Sequence, residues 1–284
     1  MNRYDMVIDL FGNPRTAIIT MFSGAEIRVG YPFKWRRFAY NVIVSPNSDV
    51  YHNVEFNLEA LRRIGIETDS SSPLFFVDKE SVLFGNRFLV QQGLSLGNFI
   101  AVDVGGGWEI KKWKADKFIG LCKLINHRLG YRVVVLYGPS EKTVAEHISS
   151  ASNAVLAPET SLHEMGAIMK ASLLLVTNDS GPMHIAAALR IPTLAIFGPT
   201  SPHLQGPVGN ISEIVRNEKL DCLECNLTKC PIGNPCMNEL GVDIVFQKLQ
   251  ILISKIGQEV STPILRAEKV ISQEKRNQAG RQIH

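Results

Sequence analysis

The residues best suited to chemistry follow a short apolar run, where a strand would end and a helix begin. Residues 172–176 read Ser-Leu-Leu-Leu-Val, the pattern of a strand buried on both faces of a parallel sheet. The next eight residues read Thr-Asn-Asp-Ser-Gly-Pro-Met-His, in which Asp179 or Ser180 can cap a helix and Pro182 suits its first turn. His184 would then lie beside backbone N–H groups at the positive end of the helix dipole. This turn is predicted to bind an anion, most often a phosphate.

A second segment with similar potential follows the predicted strand 99–104. Residues 105–107 are three glycines, which let backbone amides approach a phosphate closely, and Lys112 could neutralise a phosphate oxygen. A glycine triplet alone is equally compatible with a flexible turn, and neither segment matches a phosphate-loop or dinucleotide fingerprint. Glu141, after the strand 131–137, could accept hydrogen bonds from a ribose diol or be only an exposed acid in a first helical turn.

Alternating strands and helices would position these segments. The strands predicted from residue 97 onward lie at 99–104, 131–137, 154–156, 172–176 and 193–197, and the helices at 115–129, 140–150 and 161–170. Alternation of this kind predicts a parallel sheet with helices on both faces, where ligands bind at the carboxyl ends of strands. Both candidate segments and Glu141 follow such strands, so we expect a single nucleotide-type site.

The chain before residue 97 gives a shorter pattern of the same kind. It predicts strands at 4–10 and 26–30 and helices at 16–22 and 52–66. We place the domain boundary just before the strand that starts at Phe99. The expected domains are therefore residues 1–96 and 97–257, followed by a polar tail at 258–284.

Composition limits the classes of function. The 284 residues are 45% hydrophobic and 20% charged, which is typical of a globular protein. The sequence has neither an apolar stretch long enough to span a bilayer nor the apolar core of a signal peptide, so we expect a cytoplasmic protein. The net charge of +3 is too small to indicate nucleic acid as a partner.

Cations and aromatic residues interleave at residues 33–40, Phe-Lys-Trp-Arg-Arg-Phe-Ala-Tyr. One interpretation is a patch for an anionic glycolipid, a phosphate-bearing substrate or a membrane surface. The other is a solvated segment whose aromatic rings turn inward. A second basic run, at 269–281, lies in the polar tail and indicates only a solvated terminus.

Four cysteines lie close together with the spacing C-x2-C-x4-C-x5-C: Cys222, Cys225, Cys230 and Cys236. In a cytoplasmic protein such a cluster favours a metal over disulfides. A structural Zn²⁺ is one interpretation, an iron–sulfur cluster is a second, and reduced thiols are a third. Cys122 stands alone and is most simply a small core residue.

Three segments together resemble glycosyltransferase family 9, the ADP-heptose:lipopolysaccharide heptosyltransferases. They are Asn-Asp-Ser-Gly-Pro-Met-His at 178–184, Phe-Gly-Pro-Thr-Ser-Pro at 197–202 with Gly206-Pro207, and Lys112 six residues before Phe118. The resemblance extends from Tyr4 to Met237. It implies a GT-B architecture with two Rossmann-like domains, the donor nucleotide sugar on the C-terminal one, and a lipopolysaccharide core as the acceptor.

The resemblance also implies roles for individual residues. Lys112 and His184 would hold the diphosphate, the Ser180 and Gly181 amides would assist, Asp179 would contact the sugar, Glu141 the ribose and residues 162–165 the adenine. Such enzymes invert the anomeric centre and use no catalytic metal. Stabilising the departing diphosphate is then the main electrostatic task.

The chain departs from the family pattern at its start. The first strands and the Gly-Asp turn that carries the proposed base are absent, so the N-terminal domain is expected to be incomplete, and Asp9 does not match the base position. A general base is worth roughly 10²–10⁴ in rate, so the activity of this chain alone is left open. Arg15 and residues 33–40 are candidates for acceptor contacts, with peripheral contact at the inner membrane. The alternatives are a non-catalytic nucleotide-sugar-binding remnant, a metal-stabilised interaction protein and a sugar-nucleotide epimerase.

Overall fold

The computed structural model describes residues 4–45, 52–68, 72–209 and 211–258. The chain forms two compact units, one of residues 1–72 with 203–205 and one of residues 73–202 with 206–284. Within the described ranges, no helix is long and apolar enough to cross a bilayer. The predicted tail lies outside the described residues from 259 onward, as does the basic run 269–281.

The first unit contains a three-stranded parallel sheet in the order β1-β2-β3. The strands are β1 (Met6–Asp9), β2 (Ile27–Gly30) and β3 (Val42–Ile43), and the helices are α1 (Pro14–Met21), α2 (Asn53–Arg62) and a 3-10 helix at Lys34–Ala39. The predicted strands at 4–10 and 26–30 and helices at 16–22 and 52–66 are thus confirmed with shorter bounds. Val29, Tyr31, Val44 and Ala60 form the core of this unit.

The second unit is built on a six-stranded parallel sheet with the strand order β6-β5-β4-β7-β8-β9. The strands are β4 (Phe99–Asp103), β5 (Arg132–Leu136), β6 (Val155–Leu156), β7 (Leu174–Asn178), β8 (Thr193–Ile196) and β9 (Ser212–Val215). The helices are α3 (Lys79–Gln91), α4 (Ala115–Leu124), α5 (Lys142–Ser152), α6 (Leu162–Ala171), α7 (Gly181–Ala188), α8 (Pro202–Gln205), α9 (Pro235–Asn238) and α10 (242–258).

Helices cover both faces of this sheet, as the alternation predicts. Ile100 and Val102 face one core, where they meet Phe118 and Leu121 of α4. The intervening Phe99 and Ala101 face a second core that holds residues of α3, α6 and α7. Because β4 is buried on both faces, it reads in the sequence as a continuous apolar run.

The two units divide between residues 72 and 73, earlier than the predicted boundary between 96 and 97, because α3 belongs to the second unit. Phe88 and Leu89 of α3 are buried in the second unit's core, and the helix packs along α6. Gly85 lies at this contact, where an added Cβ would be 3.1 Å from the Cβ of Ala167. The sequence analysis did not predict α3, and a glycine inside a helix lowers its intrinsic propensity.

The close packing at Gly85 leads to a stability prediction. Gly85→Leu should lower the free energy of unfolding by about 1–3 kcal/mol, because the added side chain overpacks the contact with Ala167. Urea denaturation measures the change. Asn86→Leu places the same side chain on the exposed face of α3 and should change stability by less than about 0.5 kcal/mol. Equal stability of the two variants would contradict the packing of α3 on α6.

Candidate functional site

The ends of the two central strands carry the polar residues of the site. Strand β4 ends at Asp103, which lies opposite Thr177 in the parallel register of β4 and β7. The glycine segment 105–107 follows β4, and the turn at Asp179 and Ser180 follows β7. The predicted meeting of these two segments at one edge of the sheet therefore agrees with the topology.

A buried carboxylate joins the two segments. Asp103 accepts hydrogen bonds at Oδ2 from Thr177 Oγ1 (2.8 Å) and Ser180 Oγ (3.0 Å), and at Oδ1 from the Gly105 N–H (3.2 Å). Burial raises the pKa of Asp103 and outweighs these hydrogen bonds, which favour the charged form. Asp103 is a site residue that the sequence analysis did not single out. The only feature of the sequence that could have indicated its role is its position between an apolar strand and three glycines.

Helix α7 begins as predicted, but its capping differs. Ser180 occupies the N-cap position without a side-chain capping bond, and its hydroxyl donates to Asp103. The prediction that the Asp179 or Ser180 side chain caps the helix is therefore wrong for Ser180. Gly181 and His184 are exposed in the first turn of α7.

Asn178 fixes the glycine segment from the other side. Its Nδ2 donates to the Gly105 carbonyl at 2.8 Å, and its Oδ1 accepts from the Trp113 N–H at 3.0 Å. Trp113 is itself buried and donates its indole N–H to the Leu240 carbonyl. Both ends of the loop from Gly105 to Trp113 are thereby attached to the last residue of β7.

Lys111 lies beside the turn that opens α7. Its Nζ is 2.7 Å from Asp179 Oδ2, which also accepts a 2.5 Å hydrogen bond from Thr200 Oγ1. The same ammonium lies 4.7 Å from the centre of the Trp108 ring. Asp179 is buried, so its carboxylate pairs with a lysine that the sequence analysis left out in favour of Lys112.

Lys112 points to a different carboxylate. Its Nζ lies 3.2 Å from Glu141 Oε1 and 3.1 Å from Glu109 Oε2. Burial opposes the charge on Lys112, but these two acids outweigh it and raise the lysine pKa. Glu141 is buried, so the alternative of an exposed acid in a first helical turn is wrong.

The Lys112–Glu141 pair lines a cavity of about 570 Å³. Its other lining residues include Trp113, Val144 and Asn234. Two glycines make the approach of the pair sterically feasible. An added Cβ would lie 2.8 Å from Lys112 Cγ at Gly106 and 2.8 Å from Glu141 Oε2 at Gly138.

The remaining predicted residues occupy separate positions. Residues 162–165 begin α6, whose start has a capping box between Ser161 and Glu164, and Leu162 is exposed. The predicted adenine contact there stays a prediction. Asp9, at the end of β1, accepts hydrogen bonds from the Gly12 N–H (2.9 Å) and the Tyr40 hydroxyl (2.7 Å).

The cysteines of the cluster differ in exposure. Cys222 and Cys225 are exposed, whereas Cys236 is buried in α9. Across residues 4–45, 52–68, 72–209 and 211–258, no three His, Cys, Asp or Glu side chains are arranged to hold a metal ion. The predicted zinc stays a prediction. Cys122 is a core residue, as predicted, and burial raises the pKa of its thiol to about 12.

The sequence matches one family over most of the chain. The family model described as glycosyltransferase family 9 (heptosyltransferase) matches residues 1–235. Lipopolysaccharide heptosyltransferase 1 of Campylobacter coli is 32% identical over 232 residues, which cover 77% of this chain and 68% of that protein. The chain spans about 60% of the length of other curated relatives, such as lipopolysaccharide heptosyltransferase 3 of Escherichia coli, which is 24% identical over 211 residues, or 70% of this chain and 61% of that protein.

Solved structures confirm the fold class. The structure of Escherichia coli ADP-heptose lps heptosyltransferase II superposes with a TM-score of 0.68 at 21% identity, covering 89% of this chain and 77% of that one. The predicted α/β fold of the GT-B class with parallel sheets is confirmed.

The buried Asp103 carboxylate predicts a specific pH dependence. Because its pKa is raised in the folded state, the stability that Asp103 contributes is fully present below its unfolded pKa and is lost as the pH rises through the folded pKa. Asp103→Asn has no such titration. The unfolding free energy of the native protein should therefore fall relative to that of the variant as the pH rises above about 4, the unfolded value for an aspartate.

Urea denaturation of both proteins at a series of pH values measures this difference, in which the titration of all other groups cancels. Asp116→Asn, which makes the same substitution at an exposed acid in α4, is the matched control. The prediction fails if the difference in unfolding free energy between the native protein and Asp103→Asn stays constant with pH or changes in the opposite direction. Either result would show that folding does not raise the pKa of Asp103.

Proposed function

Since the chain belongs to glycosyltransferase family 9, we propose that it transfers a heptose from ADP-heptose to the lipopolysaccharide inner core, with inversion and without a catalytic metal. The names of its relatives support this donor and acceptor. The observation that carries the proposal is the exposed start of α7, with Lys111 beside it and the glycine segment attached to the same edge of the sheet.

The start of α7 supplies the charge complement for a diphosphate. Backbone N–H groups of a first helical turn and the helix dipole attract anions, and His184 is exposed in that turn. Lys111 adds an ammonium whose partner, Asp179, keeps it at the turn. We therefore assign the diphosphate to Gly181, His184 and Lys111, with Lys112 as a second cation nearer the ribose.

Glu141 is suited to hold the ribose of the donor. Its carboxylate is buried at the cavity that it lines with Lys112, and a carboxylate accepts hydrogen bonds from both hydroxyls of a diol. The ammonium of Lys112, 3.2 Å from Glu141 Oε1, orients this acid. The adenine would then extend toward residues 162–165, at the start of α6.

The chemical task that these groups perform is stabilisation of the leaving group. Negative charge accumulates on the diphosphate as the bond to the anomeric carbon breaks. Preorganised cations and helix N-terminal amides stabilise such charge without reorganising during the reaction. Lys111 and Lys112 would provide positive charge and His184 a hydrogen-bond donor, which is why no catalytic metal is invoked.

Acceptor activation is not assigned to Asp9. Its carboxylate is buried, caps the turn after β1 and accepts the Tyr40 hydroxyl, so it serves the structure of the first unit. Burial and the hydrogen bond to Asp9 raise the pKa of Tyr40 above its usual range. The second candidate function is a nucleotide-sugar-binding protein without transfer activity, since Asp9 is committed to hydrogen bonds with the Gly12 N–H and the Tyr40 hydroxyl.

Calorimetry with ADP tests the donor site. Lys111→Ala and His184→Ala should each weaken ADP binding about tenfold or more, because each removes a charge-assisted contact to phosphate. Lys112→Ala should weaken it as well, through the ribose side. Lys123→Ala removes the same charge from an exposed position on α4 and should leave affinity unchanged. Unchanged affinity in all three site variants, each checked for folding by thermal unfolding, would rule out the phosphate assignment.

A transfer assay tests the reaction itself. With ADP-heptose and a heptose-free lipopolysaccharide, we expect ADP release that persists in excess EDTA, since protein groups stabilise the leaving diphosphate. Loss of turnover in EDTA that Mg²⁺ restores would contradict metal independence. ADP binding with no heptose transfer would instead support the non-catalytic function.

A further inference from the structure

The end of the cysteine-rich segment lies against the candidate donor cavity. Asn234 lines the cavity of about 570 Å³ that Lys112 and Glu141 also line. It directly precedes α9, a position at which an asparagine usually caps the helix with its side chain. Here the side chain makes no capping hydrogen bond, so its amide is used for other contacts.

The amide of Asn234 reaches the turn that carries the lysines. Its Nδ2 donates to the Ile110 carbonyl at 3.1 Å. Its Oδ1 accepts from the Cys236 thiol at 3.3 Å, a second contact that fixes which end of the amide faces Ile110. Ile110 is the middle residue of the 3-10 turn at Glu109–Lys111, and Lys112 follows that turn. The amide therefore holds the backbone two residues before Lys112.

This hydrogen bond attaches the middle of the loop from Gly105 to Trp113. Both ends of the loop are attached to Asn178. Between them, the backbone hydrogen bonds of the 3-10 turn join residues within the turn and do not connect it to the rest of the unit. The Asn234 amide makes such a connection from a residue 124 positions away in the chain.

Other hydrogen bonds keep the two segments together without Asn234. The Trp113 indole N–H donates to the Leu240 carbonyl at 3.1 Å. Lys117 Nζ in α4 donates to the carbonyls of Asn238 and Leu240 at 2.6 and 2.7 Å. Removing the Asn234 amide should therefore release the turn before Lys112 while the cavity wall stays assembled.

We propose that Asn234 is a positioning residue of the donor site, which holds the turn at Glu109–Lys111 so that the Lys112 ammonium is in place before the nucleotide binds. The inference rests on the proposed donor binding, in which Lys112 is the cation nearer the ribose. A lysine that is already ordered loses less conformational entropy on binding than a mobile one. Loss of the amide should therefore lower nucleotide affinity through Lys112 rather than through a contact of its own.

The backbone of Asn234 determines which substitution isolates its amide. Its φ of 58° and ψ of 51° are left-handed, a conformation that glycine and asparagine adopt with the least strain. Asn234→Gly therefore removes the side chain without straining the backbone. Asn226 offers a matched control, because it has a φ of 51°, is exposed in the same cysteine-rich segment and does not line the cavity.

A double-variant cycle, measured by calorimetry with ADP, tests this role. Asn234→Gly should weaken ADP binding about fivefold, the effect of one lost hydrogen bond. In the Lys112→Ala background the same change should alter affinity by less than about twofold, because the ammonium through which it acts is gone. Asn226→Gly should bind ADP like the native chain. Thermal unfolding checks that every variant is folded.

Several outcomes would overturn the role of Asn234 and leave the donor site standing. One is native ADP affinity in Asn234→Gly while Lys112→Ala binds weakly. Another is full additivity of the two losses, which would show that Asn234 acts independently of Lys112. A third is an equal loss in Asn226→Gly, which would indicate a general effect of the loop. Absence of ADP binding by the native chain would instead contradict the proposed function, and this inference with it.

Discussion

The candidate site depends on the burial of one carboxylate. Removing a carboxylate from water is costly unless hydrogen bonds replace the lost solvation. Asp103 receives its donors from three places: Thr177 on β7, Ser180 in the turn after it and the Gly105 N–H at the start of the glycine segment. Moving any of the three donors away would leave a buried oxygen of Asp103 with fewer hydrogen bonds and would cost free energy. The segments that carry the donors are therefore fixed relative to one another.

The hydrogen bonds of Asp103 also involve the residue that precedes α7, where an anion could bind. The hydroxyl of Ser180 donates to Asp103 and accepts no hydrogen bond from a first-turn N–H. The first turn therefore receives no cap from Ser180. A helix start without that cap, beside Lys111 and exposed at Gly181 and His184, satisfies its amides best with an anionic ligand. Ser180 thus belongs both to the hydrogen bonds of the buried Asp103 and to the start of α7.

The sequence predicts the parts of this site that depend on local pattern. Strands β4, β5, β7 and β8 appear as apolar runs because both of their faces are buried, and the start of α7 is indicated by Pro182. The role of Asp103 was not predictable, because Thr177 and Ser180 lie 74 and 77 residues away. From its sequence neighbours alone, Asp103 looks like an ordinary polar residue at the end of a strand.

The second unit also contains elements that local pattern did not reveal. Helix α3 contains Gly85, whose lack of a side chain is explained by its close contact with Ala167 on α6. Strand β9 and helix α10 complete the sheet and one of its cores without a turn motif that marks them. In each case the stabilising contact is tertiary, and tertiary contacts override intrinsic propensity.

The adjacent lysines show how backbone geometry divides one sequence motif between two tasks. Lys111 closes a short 3-10 turn, while Lys112 is extended, with φ −84° and ψ 126°. Neighbouring side chains at such a change of conformation leave the backbone in different directions. One ammonium reaches Asp179 at the start of α7, and the other passes over Gly106 to Glu141. A Lys-Lys pair that seems redundant in the sequence can therefore serve two parts of one nucleotide, because Asn178 and Trp113 hold the loop that carries both.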